Sequence, residues 1–159
     1  MEFPKVFCPS LQAHGRTGRD FTVIDERLQN LIRYRIERAR ETLEEALLMQ
    51  REGHWNSCAN RLYYACYYAV TALLATKGLA SSKHTGIKAL FNQHFVKTGL
   101  VQKENGRLYN RLFDTRQEGD YVDFVVFERD DVEPLIPQVK DFIETISQLA
   151  QSQLLTISH

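Results

Sequence analysis

The sequence lacks the features of a membrane or secreted protein. It contains no run of about 18 consecutive apolar residues, the length that a membrane-spanning helix requires. Its N-terminus carries no apolar core of the kind that signal peptides have. The 20 basic and 20 acidic residues balance, so no overall basic charge favours nucleic acid or an anionic membrane. We therefore expect a cytoplasmic protein without a membrane partner, in which any nucleic-acid contact depends on a local patch.

Cysteine is scarce, with Cys8, Cys58 and Cys66 as the three examples. Cys58 and Cys66 lie in one predicted helix and are about 12 Å apart along it, too far for a disulfide. The sequence also has no glycine-rich phosphate loop, paired CxxC motif, HExxH motif or nucleophile elbow. Because its five histidines are scattered, we predict neither a metal site nor a cofactor.

Helical periodicity is the feature that the sequence does have. Apolar residues recur at steps of three and four from Ile24 to Leu47, which predicts a long amphipathic helix ended by Gly53. Four further helices are predicted over residues 55–77, 85–95, 104–117 and 132–151. In the last of them Pro137 predicts a late start or a kink.

These helices predict one all-α domain over residues 24–153. Residues 1–23 are expected to form a flexible extension, and residues 154–159 a short tail. Residues 119–129 are predicted to be an extended connector attached to the bundle, because a lone strand would leave its backbone hydrogen bonds unmade.

The second predicted helix is apolar over most of its circumference. Such a helix either lies at the centre of its bundle or contributes to a subunit interface, and the sequence leaves both alternatives open. The helix also carries four tyrosines, each of which needs a hydrogen-bond partner when buried: Tyr63, Tyr64, Tyr67 and Tyr68.

Two arginines are candidates for a functional role. Arg61 lies within the apolar second helix, where a buried cation is costly unless it is paired. We expect it to reach an acidic partner such as Asp120, or to face a cleft in which a ligand neutralises it. Arg116 lies at the end of the fourth helix, where the helix dipole alone favours a cation.

Several motifs in this chain resemble the HEPN family (higher eukaryotes and prokaryotes nucleotide-binding). Asn60–Ala69 resembles the family's second helix, and Ser82–Gly86 resembles the loop that opens the third. Phe95–Leu100 fits the connecting segment, and Arg116–Tyr121 resembles the family's arginine followed by Asp-Tyr. The resemblance covers about residues 25–146 and is greatest to the stand-alone, uncharacterised prokaryotic HEPN proteins.

This resemblance implies an up-and-down bundle of four main helices plus a short one, usually paired as a homodimer. In many family members it also implies metal-independent RNA cleavage by an arginine and a histidine that follows it closely. The arginine stabilises charge at the reacting phosphorus and the histidine transfers protons. This chain departs from that pattern, because Arg116 is followed by Tyr121, Val122 and Asp123 but by no histidine.

Two functions are therefore weighed. The first is a non-catalytic module that binds a nucleotide, RNA or a partner protein within a two-gene toxin–antitoxin or defence system containing a nucleotidyltransferase. Its ligand-binding or structural polar cluster would comprise Arg61, Tyr64, His84, Arg116, Asp120 and Tyr121.

The alternative is a metal-independent ribonuclease toxin with a variant active site. Arg116 would act there with His84 or Tyr121 in place of the usual histidine. This alternative requires His84 or Tyr121 within hydrogen-bond reach of a pocket shared with Arg116.

Overall fold

Helices make up nearly all of the described chain. The computed structural model describes residues 18–121 and 125–157, without the side chains of residues 18–25, 119–121 and 157. It contains a π-helical turn, Asn92–Val96, and no strand within these ranges. The α-helices are α1 (Gly18–Arg51), α2 (Trp55–Ala75), α3 (His84–Phe91), α4 (Lys103–Tyr121), α5 (Arg129–Val132) and α6 (Leu135–Ile157).

The first two helices end close to the glycines at positions 53 and 78, as the sequence predicts. Gly53 has a φ of 73° and Gly78 a φ of 68°, a left-handed conformation that glycine adopts without steric cost. The chain therefore reverses direction after α1 and again after α2. The predicted all-α bundle of four main helices plus the short α3 is confirmed.

Helix α2 is the centre of the bundle. It packs most extensively on α1, and it also contacts α6, α4, α3 and α5. The small residues Ala65, Ala69 and Ala72 are fully buried, which allows the neighbouring helices to approach closely. Because helices of the same chain cover its apolar circumference, α2 gives no separate reason to expect a subunit interface there.

The third predicted helix changes its hydrogen-bonding pattern before it ends. After α3, the Lys97 N–H donates to the Asn92 carbonyl at 2.8 Å, a spacing of five residues that marks a π-helical turn. The Asn92 side chain also donates to the Lys88 carbonyl at 2.8 Å and to Asn110 Oδ1 at 3.0 Å. This link to α4 is a tertiary contact, which explains why the local pattern predicted a plain helix.

Several predicted boundaries need correction. The first helix begins at Gly18, within the predicted extension of residues 1–23, and the last continues to Ile157, within the predicted tail of residues 154–159. Helix α4 continues through Tyr121, so residues 119–121 are helical rather than part of an extended connector. The last predicted helix is split into α5 and α6 around Pro134, which lacks the N–H that a continuous helix would use. Pro137 is the third residue of α6, where an N–H has no intrahelical partner in any case.

Candidate functional site

The tyrosines of α2 surround a histidine at the start of α3. Tyr63 is fully buried, and its hydroxyl lies 2.8 Å from His84 Nδ1 in a hydrogen bond. The half-buried imidazole of His84 also stacks on the Tyr67 ring, with centroids 4.6 Å apart, and meets the Tyr64 ring edge-on at 5.8 Å. One hydrogen bond and two ring contacts therefore fix the orientation of this imidazole.

The loop before α3 places His84 at this position. The Lys83 N–H donates to Ser81 Oγ at 3.2 Å, so the Ser81 side chain lies over the first turn of the helix. A Cβ at Gly86 would overlap the Ser81 side chain, and only glycine leaves the necessary space. Ser81, together with Lys83 and Gly86 of the Ser-Lys-His-Thr-Gly motif, therefore holds the histidine against the tyrosines.

Arg116 reaches the same tyrosines from α4. The carbon at the centre of its guanidinium lies 5.5 Å from the Tyr63 ring centroid and 5.4 Å from that of Tyr64. Both distances are within the range of a cation–π interaction. Arg116 and His84 therefore lie against the same pair of rings, although they come from different helices.

Arg61 contacts the Tyr64 ring as well, at 5.1 Å from its centroid. Its guanidinium also donates to Asn60 Oδ1 at 2.8 Å and to Glu45 Oε2 at 3.3 Å. Sequence reasoning offered Asp120 as the acidic partner, but the side chains of Asp120 and Tyr121 lie outside the described residues. The partner that the structure does give is Glu45 of α1, which sequence reasoning missed.

The cluster continues along α1 through a third arginine that the sequence did not single out. Arg38 lies 5.4 Å from the Tyr68 ring centroid and forms ion pairs with Glu41 at 2.7 Å and Glu45 at 3.6 Å. The only hint in the sequence was helical spacing, since Glu41 and Glu45 lie one and two turns after Arg38. Spacing alone does not show which face of α1 meets the tyrosines.

Arg61 and Arg116 share an open cleft of about 480 Å³. Asn60 and Glu45 also line it, together with the aromatic ring of Phe127 from the segment before α5. The lining therefore combines two cations, one carboxylate and an apolar wall. His84 is not among the residues that line this cleft, and its imidazole lies against Tyr63 and Tyr67.

Burial raises the pKa values of three tyrosine hydroxyls in or beside this group of rings. It raises the pKa of Tyr63, an effect that nearby Arg116 opposes only in part. It also raises the pKa of Tyr67 and of Tyr109, whose ring stacks on Tyr63 with centroids 5.9 Å apart. These phenols are hydrogen-bonding groups at neutral pH and poor bases.

Neither a metal centre nor a membrane span appears in the described part of the chain. Within residues 18–121 and 125–157, no three side chains of the His, Cys, Asp and Glu types are grouped to hold a metal ion. The helices in these ranges are too short or too polar to cross a bilayer.

Comparison with known proteins identifies relatives that span most of the chain. Residues 32–149 match the pattern of the HEPN domain. A "UPF0332 protein" of Thermotoga maritima is 45% identical over 123 residues, which cover 77% of this chain and 93% of that protein. A Methanocaldococcus jannaschii protein named "Putative toxin" is 30% identical over 101 residues, 64% of this chain and 69% of its own. A second such protein of that organism is 27% identical over 126 residues, 79% and 93% respectively.

Proposed function

Because the chain belongs to the HEPN domain family, we propose that it binds a nucleotide or an RNA phosphate between Arg61 and Arg116. In this proposal the protein is a non-catalytic module of a two-gene toxin–antitoxin or defence system in the cytoplasm. Its partner protein is a nucleotidyltransferase. Two relatives with "toxin" in their printed names support a toxin-related role.

The observation that carries this proposal is the pair of guanidinium groups lining one open cleft. A guanidinium is planar and presents its N–H groups in a fork that matches two oxygens of a phosphate. Contacts with the Tyr64 ring hold both groups, at 5.1 Å for Arg61 and 5.4 Å for Arg116. Side chains that are already ordered lose less conformational entropy when an anion binds.

The position of His84 supports a binding role over a catalytic one. A group that transfers a proton must reach the reacting oxygen directly or through one water. His84 is hydrogen-bonded to Tyr63 and stacked on Tyr67, and it does not line the cleft that holds Arg116. The described residues of the cleft therefore supply positive charge without an imidazole.

One observation favours the ribonuclease alternative, in which Arg116 stabilises the reacting phosphate and His84 or Tyr121 transfers the proton. Arg116 and His84 contact the same two rings: the guanidinium lies 5.5 Å from Tyr63 and 5.4 Å from Tyr64, and the imidazole lies 5.8 Å from each. The two groups that this alternative requires therefore lie against the same pair of rings.

Isothermal titration calorimetry with adenosine 5′-monophosphate (AMP) and a short single-stranded RNA tests the binding proposal. We expect Arg61→Ala and Arg116→Ala to weaken binding of both ligands, by about tenfold or more for a charge-assisted pair. Glu45→Gln should strengthen binding, because it removes the carboxylate that competes for Arg61. Arg107→Ala is the matched control, since Arg107 lies on the same helix as Arg116 with a side chain 76% exposed.

Incubation with total cellular RNA separates the two functions. RNA that stays intact with the wild type, together with cleft-dependent AMP binding, supports the non-catalytic module. Cleavage by the wild type that is lost in both Arg116→Ala and His84→Ala establishes the ribonuclease instead. If Arg107→Ala weakens AMP binding as much as Arg116→Ala, the cleft is not the binding site.

We also propose that the protein forms a homodimer, as the family resemblance implies. Tyr34 and Leu48 are exposed on α1 at 61% and 49%, and their spacing, close to four helical turns, places them on one side of that helix. Two exposed apolar side chains on one side of a helix suit a symmetric contact between two copies. Sedimentation equilibrium at the monomer mass would exclude the dimer.

A further inference from the structure

The extended segment before α5 is held by one side chain of α2. Asn56 donates from Nδ2 to the Val125 carbonyl at 2.8 Å, and its Oδ1 accepts from the Phe127 N–H at 2.8 Å. In a parallel sheet, the backbone of one residue makes the same pair of hydrogen bonds to the adjacent strand. Here the side-chain amide of Asn56 takes the place of that backbone. The extended segment therefore obtains the hydrogen bonds that a lone strand would lack.

This double hydrogen bond decides which way the segment faces. Residues alternate sides in an extended chain, so Val125 and Phe127 face one way and Val126 the other. Val126 is 70% exposed, whereas Phe127 is half-buried, packs against the core and lines the cleft. Asn56 thus fixes Phe127 as the aromatic wall of the cleft.

The cleft is divided into an apolar and a basic part. Phe127, Met49 and Ala59 contribute carbon surface, whereas Arg61 and Arg116 contribute positive charge. A volume of about 480 Å³ lies within the range of small-molecule sites and exceeds what an isolated phosphate needs. A ligand that uses both parts carries a flat ring together with a phosphate.

We infer that Phe127 is the surface on which the base of a bound nucleotide stacks, and that Asn56 is the positioning residue that holds it there. The inference rests on the proposed function, because the phosphate is the group that the two arginines bind. It adds that the ligand is a nucleotide with an accessible base, rather than a bare phosphate or a sugar phosphate.

Calorimetry with AMP and with ribose 5-phosphate tests this division, because the two probes share the sugar phosphate and differ in the base. Phe127→Leu keeps an apolar side chain but removes the ring, and we expect it to weaken AMP binding about tenfold, a typical effect of losing one stacked base. Asn56→Ala should weaken AMP binding in the same direction. Neither variant should change the affinity for ribose 5-phosphate.

Two matched variants serve as controls. Phe127→Trp retains a stacking surface and should keep AMP binding near that of the wild type. Val126→Ala changes an exposed neighbour that points away from the cleft, and it should leave both affinities unchanged. The thermal midpoint of each variant shows that it is folded, and Phe127→Leu decides the matter if Asn56→Ala does not fold.

The outcomes distinguish failure of the inference from failure of the proposed function. If Phe127→Leu leaves AMP binding unchanged, or weakens both probes equally, Phe127 is not a base-stacking surface, while phosphate binding by the arginines stands. If the wild type binds neither probe, the proposed function and the inference built on it both fail.

Discussion

The two halves of α2 use the same apolar pattern for different purposes. In the second half, residues 69–75 are all buried among neighbouring helices and carry no ionisable group. In the first half, the tyrosine rings contact two cations and an imidazole, with Arg61 and Arg116 on Tyr64 and His84 on Tyr67. One end of an apolar helix can therefore lie in the hydrophobic core while the other end supports charged and polar side chains.

The energies of the two halves differ as well. Full burial of a side chain such as Leu73 or Leu74 is worth about 1.5 to 3 kcal/mol. The Arg61–Glu45 pair is 32% and 40% exposed, and such pairs typically contribute about 1 kcal/mol or less. This ion pair therefore adds less to stability than one buried leucine of the second half does.

Alkaline pH should produce the largest effect, and within α2 it should act on groups of the first half. Burial raises the pKa of Cys58 from 9.0 to about 11, and it also raises the pKa values of Cys66, Tyr63 and Tyr109. A group with a raised folded-state pKa stabilises the fold fully below its unfolded pKa and loses that contribution as pH rises through the folded value. The free energy of unfolding should therefore fall by about 2 kcal/mol between pH 9 and pH 11 from Cys58 alone, and further from the other three groups.

Urea denaturation at a series of pH values measures this loss. Cys58→Ala should reduce the slope of stability against pH between pH 9 and pH 11. Tyr34→Phe, at a tyrosine that is 61% exposed, is the control and should leave the slope unchanged. A stability that stays constant from pH 9 to pH 11 would show that these thiols and phenols are not buried in solution.

Leu73→Ala should give the next largest loss of stability, because it removes packing in the second half of α2 and leaves the first half unchanged. Removing a fully buried leucine side chain typically costs about 3 kcal/mol, part of it from the cavity left behind. Thermal and urea unfolding measure the loss, and Leu100→Ala, at a site 46% exposed, is the control. The folded variant should bind AMP like the wild type, and a weaker affinity would mean that the two halves of α2 are energetically coupled.

Tyr63→Phe should give the smallest change in stability and the most local one. It retains the ring under Arg116 but removes the hydroxyl that lies 2.8 Å from His84 Nδ1. We expect a loss of about 1 kcal/mol, the usual net value of one hydrogen bond. Nuclear magnetic resonance should show a changed chemical shift of His84 Nδ1, and an unchanged shift would mean that this bond does not form in solution.

Much of the fold was predictable because helices depend on local spacing. The steps of three and four in α1, and the glycines at positions 53 and 78, gave the first two helices and their ends. The predicted helix bounds and types were wrong at several places, one of which contacts a residue distant in the sequence. The π-helical turn accompanies a hydrogen bond from Asn92 to Asn110, and residues 119–121 continue α4 although the pattern there suggested a connector.

The candidate site was only partly predictable. Arg61, His84 and Arg116 were identified from residue type and motif, and the structure brings them around Tyr63 and Tyr64. Their roles were not predictable, because a role depends on which groups lie in the same cleft. Asn56 and Phe127 gave no signal at all, since an asparagine near a helix start and a phenylalanine in a connector are common in any bundle.

The sequence by itself determined most of the helices, their apolar faces and the family to which the chain belongs. These properties follow from the order of apolar and polar residues along the chain, which sets the surface that each helix must bury. Only the tertiary structure decided that Glu45 pairs with Arg61, that His84 stacks on Tyr67, and that Asn56 holds Phe127. Those contacts join residues far apart in sequence, and they exist only once the helices have packed in one arrangement.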